Sequence, residues 1–546
     1  MSGSYNAKVV KTIFQGNDSS NPANFNVIKD EKLFFTASTN IFQRGFWVTD
    51  GTQDGTDQIG DVVTRFSQLG GIFLGENKIF YGTSNRSGLF STLVTNGTRE
   101  GTSNIDNLFS FIPPNYVGVA NDRLFVNLVK SDAPNRPPNP AESGLWVSDG
   151  TEAGTFLVKS IRANGTLSGT FNSASINNKL FFSASDDNKG SELWVSDGTE
   201  NGTLLVKDIN PGSNGSNPEN IAAFNHKLYF SADNGEKGKE LWVSDGTENG
   251  TLLVKDINVG VNGSNPENFT AVNNQIFFAA DDGHLGQELW VTDGTENGTF
   301  LVKDINQGNN SSNPENFTVF ENKLYFTTDD GVNGRELWIS DGTENGTNLV
   351  EDINPGRESS NPSDLQIFED KLYFSADNQE FGREFWVSDG TKDGTHLVED
   401  INPGSESSNP TQISVFDEKL FFTADDGVIG SEVWVSNGTK EGTLLFRDIN
   451  KQRLFSPPGD LTLFDDKLFF TANNNESGEE LWISDGTENG TKLFKDISEG
   501  SGGSNIGALT VFNNKLFFRA SDGENGSELW VTDGSENGTF LFKDIY

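Results

Sequence analysis

The sequence predicts an all-β protein built from one repeated unit, and three observations support this prediction. First, all 10 tryptophans stand in variants of one phrase, which reads Glu-Leu-Trp-Val-Ser-Asp-Gly-Thr at residues 192–199. From Trp146 to Trp530 the phrase returns in eight steps of 48 residues. Second, each period contains four short apolar stretches that are separated by turn sequences. Third, no window shows the 3.6-residue period of an amphipathic helix.

The repeat at 317–352 illustrates the four predicted strands, which cover residues 317–320, 323–328, 336–340 and 349–353. Glu321 and Asn322 supply a tight hairpin turn between the first two strands. A polar loop follows the second strand, and an Asp-Gly-Thr turn follows the third. A longer connection of about ten residues leads to the next repeat. Each repeat therefore predicts an antiparallel four-stranded meander.

Apolar side chains occupy adjacent positions in the second and third strands, as in Leu324-Tyr325-Phe326. Both faces of each sheet are therefore expected to be buried. Sheets of four strands that are sandwiched between their neighbours are typical of β-propeller blades. Between Trp47 and Trp146 lies a degenerate copy in which Leu93 replaces the tryptophan, which brings the number of copies to eleven. We predict a β-propeller of about eleven four-stranded blades, with an open β-superhelix of the same meanders as the alternative.

The whole chain, 1–546, is predicted to form a single repeat array. Residues 1–23 form an extra strand and a loop, 24–169 form three divergent repeats, and 170–546 form eight near-uniform repeats of 48 residues. The segment 8–13 resembles the fourth strand of a repeat. In a closed ring it would lie beside the C-terminal blade, whereas in an open array it would cap the exposed end. We expect the closed ring.

Composition narrows the range of partners. The net charge is −40 and the isoelectric point is about 4.3. Such a surface repels nucleic acid and anionic membranes, which need clustered lysine and arginine. The chain has no cysteine, so it forms no disulfide and no thiolate metal site. Residues 1–15 lack the basic and apolar regions of a signal peptide, and no stretch is long and apolar enough to span a membrane. The oligomeric state is not indicated.

The column of tryptophans has two interpretations. The indoles could be platforms on which sugar rings or cationic groups stack. Alternatively, each tryptophan is a wedge between two blades. Because each lies in mid-strand between Leu and Val or Ile in most repeats, the sequence favours the wedge.

The Asp-Gly-Thr-Glu-Asn-Gly-Thr segment is expected to be a self-contained turn. Aspartate accepts backbone N–H bonds, and glycine and Asn-Gly supply positive φ. The aspartates of these turns could instead help to hold a cation, although turn chemistry accounts for them. Those of the uniform repeats are Asp197, Asp245, Asp293, Asp341, Asp389, Asp485 and Asp533.

A second recurring loop, Asp-Asp-Gly-x-x-Gly-x-Glu, gives the only indication of a cofactor. Hard oxygen donors around a glycine turn are what Ca²⁺ selects, so these loops are candidate calcium sites. Neither the EF-hand pattern nor the Gly-Gly-x-Gly-x-Asp repeat is present, and solvated turns are the alternative. The candidate ligands are Asp281, Asp282 and Glu288, then Asp329, Asp330 and Glu336, then Asp425, Asp426 and Glu432.

No catalytic motif is apparent. The three histidines, His226, His284 and His396, stand at three different repeat positions. No Ser-His-Asp pattern, phosphate loop or zinc motif is visible. Two of the 79 acidic residues could pair in a cleft for glycoside chemistry, but an active site needs one unique constellation and this chain is uniform. The sequence therefore favours a protein that is not an enzyme.

The phrase Glu-Leu-Trp-x-x-Asp-Gly-Thr, with Gly-Thr-x-Leu-Val-x-Asp-Ile downstream, resembles the bacterial ELWxxDGT repeat proteins, some of which are labelled hyalin-like. The resemblance covers nearly the whole chain and implies a propeller-type repeat in an exported or surface protein, with no established catalytic role. The first three repeats depart from the phrase. The first reads Gly45-Phe46-Trp47, the second has no tryptophan, and the third reads Gly144-Leu145-Trp146 without the glutamate.

Together these observations predict a non-catalytic recognition or adhesion scaffold at the cell surface or in the extracellular space. Repeated loops on a stiff frame would bind a glycan or a surface protein multivalently, with calcium assisting. A purely structural component of an extracellular matrix or an assembled appendage is the alternative, and a carbohydrate-active enzyme is a weaker one.

Overall fold

A computed structural model describes most of the chain. The described residues are 23–28, 32–40, 43–50, 57–61, 66–74, 78–85, 90–96, 103–104, 115–128, 143–149, 151, 153–163, 172–186, 188–416, 419–428, 430–447, 458–474, 476–487 and 490–543. Every regular element in these ranges is a β-strand. Within the same ranges, no helix is long and apolar enough to cross a membrane.

The strands form eleven antiparallel sheets in the described ranges, and we call them blades 1 to 11 in chain order. Blade 1 contains β1 (Ala23–Ile28), β2 (Lys32–Asn40), β3 (Gln43–Thr49) and β4 (Asp57–Asp61). Blade 2 contains β5 (Phe66–Leu74), β6 (Ile79–Asn85), β7 (Phe90–Thr95) and β8 (Ser103–Asn104). Blade 3 contains β9 (Asn115–Ala120), β10 (Arg123–Leu128), β11 (Gly144–Ser148) and β12 (Phe156–Lys159). Blade 4 contains β13 (Arg162–Ala163), β14 (Ser173–Ile176), β15 (Lys179–Ser185), β16 (Ser191–Ser196) and β17 (Leu204–Lys207).

Blades 5 to 8 have four strands each. Blade 5 contains β18 (Glu219–Phe224), β19 (Lys227–Asp233), β20 (Lys239–Ser244) and β21 (Leu252–Lys255). Blade 6 contains β22 (Glu267–Val272), β23 (Gln275–Asp281), β24 (Gln287–Thr292) and β25 (Phe300–Lys303). Blade 7 contains β26 (Glu315–Phe320), β27 (Lys323–Asp329), β28 (Arg335–Ser340) and β29 (Asn348–Leu349). Blade 8 contains β30 (Ser363–Phe368), β31 (Lys371–Asn378), β32 (Gly382–Ser388) and β33 (His396–Glu399).

The last three blades repeat this arrangement. Blade 9 contains β34 (Thr411–Phe416), β35 (Lys419–Asp425), β36 (Ser431–Ser436) and β37 (Leu444–Arg447). Blade 10 contains β38 (Gly459–Phe464), β39 (Lys467–Asn473), β40 (Glu479–Ser484) and β41 (Lys492–Lys495). Blade 11 contains β42 (Gly507–Phe512), β43 (Lys515–Ser521), β44 (Ser527–Thr532) and β45 (Phe540–Lys543). In each blade consecutive strands pair as a meander, and in blade 4 the short β13 also pairs with β15.

The hairpins form where the sequence supplies residues that tolerate positive φ. Glu321 and Asn322, which join β26 and β27, have φ values of 47° and 60°. Two successive residues with positive φ define the type I′ turn, whose twist matches that of the paired strands. The predicted turn is therefore confirmed. It sets the register in which Phe320 pairs with Lys323 and Val319 with Leu324.

From blade 4 to blade 11, and between blade 11 and blade 1, neighbouring blades contact one another chiefly through their first strands, with β14 as the equivalent strand in blade 4. In a radial array the strands nearest the axis must converge, so the first strand of each blade is the innermost and the fourth is the outermost. Each first strand from blade 5 onward has a register shift beside a residue with positive φ, such as Asn268 at 60° or Asp364 at 55°. These are β-bulges, which bend the innermost strand.

The tryptophans are wedges between blades, as the sequence favoured. Trp338 of blade 7 is 5% exposed and shares a core with Leu289 and Val291 of blade 6. Trp386 of blade 8 packs in the same way against blade 7. The apolar core is therefore a series of layers between sheets, and each blade depends on its neighbour for burial.

The array returns on itself. Apolar cores join each pair of consecutive blades from blade 2 to blade 11. A further core joins blade 11 to blade 1, where Trp47 and Phe35 pack with Phe517 and Leu529. The protein is thus an all-β propeller with eleven blades in the described ranges, ten of four strands and one of five, in which blade 11 packs against blade 1. The predicted strand at 8–13 lies outside the described residues.

One predicted strand is too long. The fourth strand of the repeat at 317–352 was expected over 349–353, but β29 ends at Leu349. Val350 still donates its backbone N–H to Leu337 O, and then the chain leaves the sheet. Residue 353 lies outside the strand because the Ile353 N–H binds the buried carboxylate of Glu336 at 3.2 Å.

Candidate functional site

The connections of each blade lie on two opposite faces of the ring. The Asp-Asp-Gly loops between second and third strands lie with the connections between blades, because Asp281 N–H donates to Ser264 O at 2.9 Å. We call this side the loop face. The hairpins between first and second strands lie with the Asp-Gly-Thr turns, because Arg123 donates to Asp197 O at 3.3 Å and Lys419 to Gly486 O at 2.8 Å. We call this side the turn face.

The same type of contact joins the last blade to the first. Asn513, in the hairpin of blade 11, donates its side-chain N–H to Asp50 O of blade 1 at 2.9 Å. In position it corresponds to the contacts from Arg123 and Lys419 to the turn of the following blade. The hairpin of blade 11 therefore contacts the turn of blade 1 as the hairpins of blades 3 and 9 contact the turns of blades 4 and 10.

On the turn face, the Asp-Gly-Thr turns satisfy their own polar groups. Asp197 Oδ1 accepts the backbone N–H and the hydroxyl hydrogen of Thr199 at 2.9 and 2.7 Å. The Thr199 hydroxyl oxygen in turn accepts the N–H of Gly202 at 2.9 Å. Below them, the hydroxyls of Ser196 and Thr203 share a bond of 2.6 Å. This network confirms the turn chemistry that the sequence predicted.

The hydrogen bonds of these turns also set the charge of their aspartates. The hydroxyl of Thr343 and the backbone N–H of the same residue hold the pKa of Asp341 below its usual range, against partial burial. The aspartate therefore stays ionised down to lower pH than an exposed aspartate would. The equivalent carboxyls also have lowered pKa values; they are Asp149, Asp197, Asp245, Asp293, Asp389, Asp485 and Asp533.

The tips of the Asp-Gly-Thr turns are exposed to solvent. Thr199, Glu200 and Asn201 of blade 4 are exposed. The corresponding three residues are exposed in each of blades 5 to 9. The tips read Thr-Glu-Asn in blades 4 to 7, Thr-Lys-Asp in blade 8 and Thr-Lys-Glu in blade 9. The turn face therefore carries a regular series of similar polar tips.

On the loop face, the glutamate of each repeat is buried and enclosed by donors. Glu288 is 0% exposed, and its Oε2 accepts the N–H of Ile305 at 3.0 Å and the hydroxyl hydrogen of Ser312 at 2.7 Å. Its Oε1 accepts the N–H groups of Asn306 and Ser312 at 3.3 and 3.1 Å. We call this arrangement the glutamate knot, since it ties the third strand of a blade to the connection that leads to the next blade.

The knot recurs around the ring. Glu192 and Glu240 accept the same four bonds, and Glu336, Glu384 and Glu480 bind the equivalent serine and isoleucine. Glu432 and Glu528 are each 1% exposed at the same position, and the residues that would correspond to these donors lie outside the described ranges. Burial raises the pKa of Glu288 to about 7 and that of Glu336 to about 8, although the hydrogen bonds favour the ionised form.

The glutamates therefore do not join the aspartates as one ligand set. Asp281 Oδ1 accepts the N–H of Gly283 at 2.7 Å, and Asp282 Oδ1 accepts those of His284 and Leu285. Asp329 and Asp330 cap their loop in the same manner, as do Asp425 and Asp426. Among the residues with described positions, no group of three or more acidic or histidine side chains could hold a metal ion. Calcium binding by the aspartates without the glutamate stays a prediction.

One sequence pattern indicates the glutamate knot, although each glutamate also stands close to an Asp-Asp-Gly loop in sequence. Each glutamate is followed 24 residues later by the serine of a Ser-Asn-Pro or similar segment, as Glu240 is by Ser264. A polar pair at constant spacing within a repeat, with one member inside a buried strand, indicates a structural contact. The three histidines remain apart, since His226 lies in a hairpin, His284 in a loop and His396 at the start of β33.

Comparison with known proteins adds similarity of shape. No protein-family model and no curated protein sequence matches the chain. Among solved structures, BamB from Moraxella catarrhalis has a TM-score of 0.30 and 10% identity, over 68% of this chain and 96% of BamB. The β-propeller domain of the Trilobed protease from Pyrococcus furiosus has a TM-score of 0.26 and 14% identity, over 61% of this chain and 99% of that domain. A prolyl endopeptidase has a TM-score of 0.32 and 11% identity, and the match covers 68% of this chain and 55% of the peptidase.

Proposed function

We propose that the protein is a non-catalytic recognition scaffold of the cell surface or the extracellular space, of the ELWxxDGT repeat type, which binds a glycan or a surface protein at many equivalent positions. The observation that carries this proposal is the series of exposed Thr-Glu-Asn tips on the turn face. They recur at 48-residue spacing in blades 4 to 7, on turns whose own hydrogen bonds are complete.

Rigid display is what makes weak contacts useful. When one tip has bound, the others are held at a fixed distance from a repeated ligand, so that later contacts are intramolecular. Avidity can then exceed the affinity of one site by on the order of a hundredfold or more without a new kind of contact. A net charge of −40 favours ligands that are neutral or carry positive groups. The tips offer hydroxyl, carboxylate and amide groups, which suit the hydroxyls of glycans.

The experiment measures binding against the number of intact tips. The protein is first applied to an array of glycans and to immobilised surface proteins. Glu200, Glu248, Glu296 and Glu344 are then changed to alanine singly and in combination. No described side-chain hydrogen bond or ion pair of the fold involves these four carboxylates, so the turns should fold unchanged. We expect avidity for a multivalent surface to fall stepwise with each change, while binding to a monovalent ligand stays weak throughout.

Two results would contradict the proposal. If the quadruple variant bound the multivalent surface as well as the parent, the tips would not be the contact. If no glycan or protein bound and the protein instead formed ordered assemblies on its own, the role as a structural component would replace recognition. Protease treatment of intact source cells tests location, because a surface protein should be cleaved without lysis.

A further inference from the structure

The turn face carries a cavity whose lining residues differ from those at the equivalent positions of other blades. It lies between blades 5 and 6 and has a volume of about 150 Å³. Phe224, Lys227 and Tyr229 of blade 5 form one side. Ala271 and Asp293 of blade 6 belong to the other side. The cavity is smaller than the roughly 300 to 1,000 Å³ of pockets for drug-sized ligands, so it suits one small molecule or one residue of a polymer.

Two sequence differences coincide at this place. At the position of Ala271, later blades carry the larger Val319, Ile367, Val415, Leu463 and Val511. At the position of Tyr229, five of the blades from 4 to 11 carry phenylalanine. Blade 5 also has an alanine at this position, Ala223, but it follows a blade with Phe181 in place of tyrosine. From blade 4 onward, only the junction between blades 5 and 6 combines a tyrosine with the small alanine.

The tyrosine hydroxyl is available to a ligand. Tyr229 is 5% exposed, yet its hydroxyl has no hydrogen-bond partner among the described residues, and the side chain lines the cavity. A Cβ at Gly294, which has φ of 87°, would lie 2.7 Å from this oxygen, so only glycine leaves the hydroxyl in place. This hydroxyl can both donate and accept, so it can form hydrogen bonds with a polar molecule in the cavity.

The other polar groups of the cavity include hydrogen-bond donors as well as hydrogen-bond acceptors. The ammonium group of Lys227 can only donate, and the carboxylate of Asp293 can only accept. The two groups interact, because the Thr295 hydroxyl chiefly, and Lys227 to a smaller degree, hold the pKa of Asp293 below its usual range. Amide side chains, including that of Gln275, complete the polar wall, and the rings of Phe224 and Tyr229 lie 6.3 Å apart. Aromatic rings beside mixed donors and acceptors fit a molecule whose hydroxyls each donate and accept.

We propose that this cavity binds one sugar residue, a neutral polyhydroxylated ring at the end or edge of a glycan. The proposal rests on the function proposed above and adds a defined subsite to it. An anionic ligand would meet the acidic surface unfavourably. The sugar ring would lie against the aromatic side, with its hydroxyls between Lys227, Asp293 and the Tyr229 hydroxyl.

The test uses the intact protein and a panel of neutral hexoses, with glycine as a zwitterionic comparison, in titration calorimetry. Ala271→Val fills the cavity with the residue that blade 9 carries at the same position, Val415. Tyr229→Phe removes only the hydroxyl. Tyr325→Phe is the matched control, because Tyr325 occupies the same position in blade 7 and faces Ile367 rather than an alanine. Thermal unfolding checks that each variant is folded.

We expect one or more hexoses to bind the parent protein and the Tyr325→Phe control equally. Ala271→Val should abolish this binding, and Tyr229→Phe should weaken it by about fivefold to tenfold, as for the loss of one hydrogen bond. Glycan binding that both cavity variants retain would overturn the subsite and leave the recognition scaffold standing. Binding of glycine without any hexose would also overturn the subsite. Failure of all glycans on the array would remove both the subsite and the glycan form of the proposed function.

Discussion

Ser312 donates its hydroxyl hydrogen to the buried carboxylate of Glu288 across 2.7 Å, although the two residues are 24 positions apart. The serine belongs to the connection that leads from blade 6 to blade 7, and the glutamate belongs to β24. The bond therefore fixes the position of the connection between blades 6 and 7 relative to the third strand of blade 6. Because the arrangement recurs, the glutamate at this position holds the connection to the next blade in each of the blades described above.

Replacing Glu288 with glutamine should destabilise the protein by about 1 to 3 kcal/mol, the cost of a buried donor left without an acceptor. Whichever way the amide is turned, its NH₂ group faces at least one backbone N–H, that of Ile305 or those of Asn306 and Ser312. Ser312→Ala should cost about 1 kcal/mol, since one donor is lost and the carboxylate keeps three. Chemical denaturation followed by tryptophan fluorescence measures both.

Asp282→Asn is the control for this pair of variants. Its carboxylate accepts only turn amides at a half-buried position, and asparagine serves the same role in blade 10 at Asn474. Its effect should be less than that of either knot variant. A larger effect from Asp282→Asn than from Glu288→Gln would contradict the structural role assigned to the knot.

Stability should be greatest at mildly acidic pH. The pKa of Glu336 is raised from 4.5 to about 8, and those of Glu288, Glu384 and Glu480 to about 7. Between these values the native protein holds protons that the unfolded chain releases, so the free energy of unfolding falls as pH rises from about 4.5 to about 8. The lowered pKa values of the turn aspartates act in the opposite sense below pH 3.8, where protonation removes their stabilisation.

Thermal unfolding between pH 3 and pH 9 tests this expectation. The midpoint should rise as pH increases from 3, pass a maximum near pH 4 to 5, and fall towards pH 8. Self-repulsion of the acidic surface acts in the same direction as the glutamates above the maximum. The Glu336→Gln variant separates the two contributions, because it should flatten the decline and leave the repulsion. A midpoint that increases from pH 5 to pH 8 would contradict the prediction.

Two positions at the junctions between blades carry opposite charges in different blades, and we expect that the two residues can be exchanged by mutation. In blade 6 the outer-strand Lys303 donates to Thr347 O of blade 7 at 2.6 Å. Blade 7 has Glu351 at the position of Lys303, and it forms an ion pair of 3.0 Å with Lys392 of blade 8. Blade 8 repeats this reversal with Glu399 and Lys440 at 3.5 Å. These two junctions therefore pair a glutamate of the outer strand with a lysine of the next blade's turn, at the positions where blades 6 and 7 carry Lys303 and Glu344.

Glu351→Lys alone should destabilise the junction by up to about 1 kcal/mol, because it places two ammonium groups together at an exposed site. The double change Glu351→Lys with Lys392→Glu should restore stability, since it places at this junction the residues that blades 6 and 7 carry at the same positions, Lys303 and Glu344. A double-mutant cycle at low and high salt measures the coupling. Additive effects of the two changes would show that the pairing has no energetic role.

Calcium is tested separately in blade 6, where Asp281 and Asp282 each accept the loop N–H groups through Oδ1. If they bind Ca²⁺, millimolar calcium should raise the unfolding midpoint by mass action, EDTA should reverse the rise, and Mg²⁺ should not reproduce it. Asp281→Asn with Asp282→Asn should remove part of the shift. An unfolding midpoint that is the same in calcium and in EDTA would assign these loops to turn chemistry alone.

Much of the architecture could be predicted because the repeat makes local signals redundant. The 48-residue spacing located Trp338, and its apolar neighbours indicated burial between sheets. The Glu321-Asn322 turn followed from residues that tolerate positive φ. What could not be predicted was the partner of each polar side chain, since Glu288 stands near Asp282 in sequence but bonds to Ile305 and Ser312. The same contact in blade 7, between Ile353 and Glu336, keeps residue 353 out of β29, and the sequence does not indicate it for the same reason.

The cavity between blades 5 and 6 was beyond sequence reasoning for a different cause. Ala271 and Tyr229 are each ordinary variants of their repeat positions. Only the packing of two blades shows that a missing side-chain volume in one lies beside a hydroxyl in the other.

The central claim is that eleven blades close into one ring, with blade 11 packed on blade 1. Single-particle electron microscopy of the intact protein tests it most directly. Face-on averages should show eleven radial densities without a gap between the last blade and the first. An open arc, a superhelix, or a ring with a different number of blades would contradict the account.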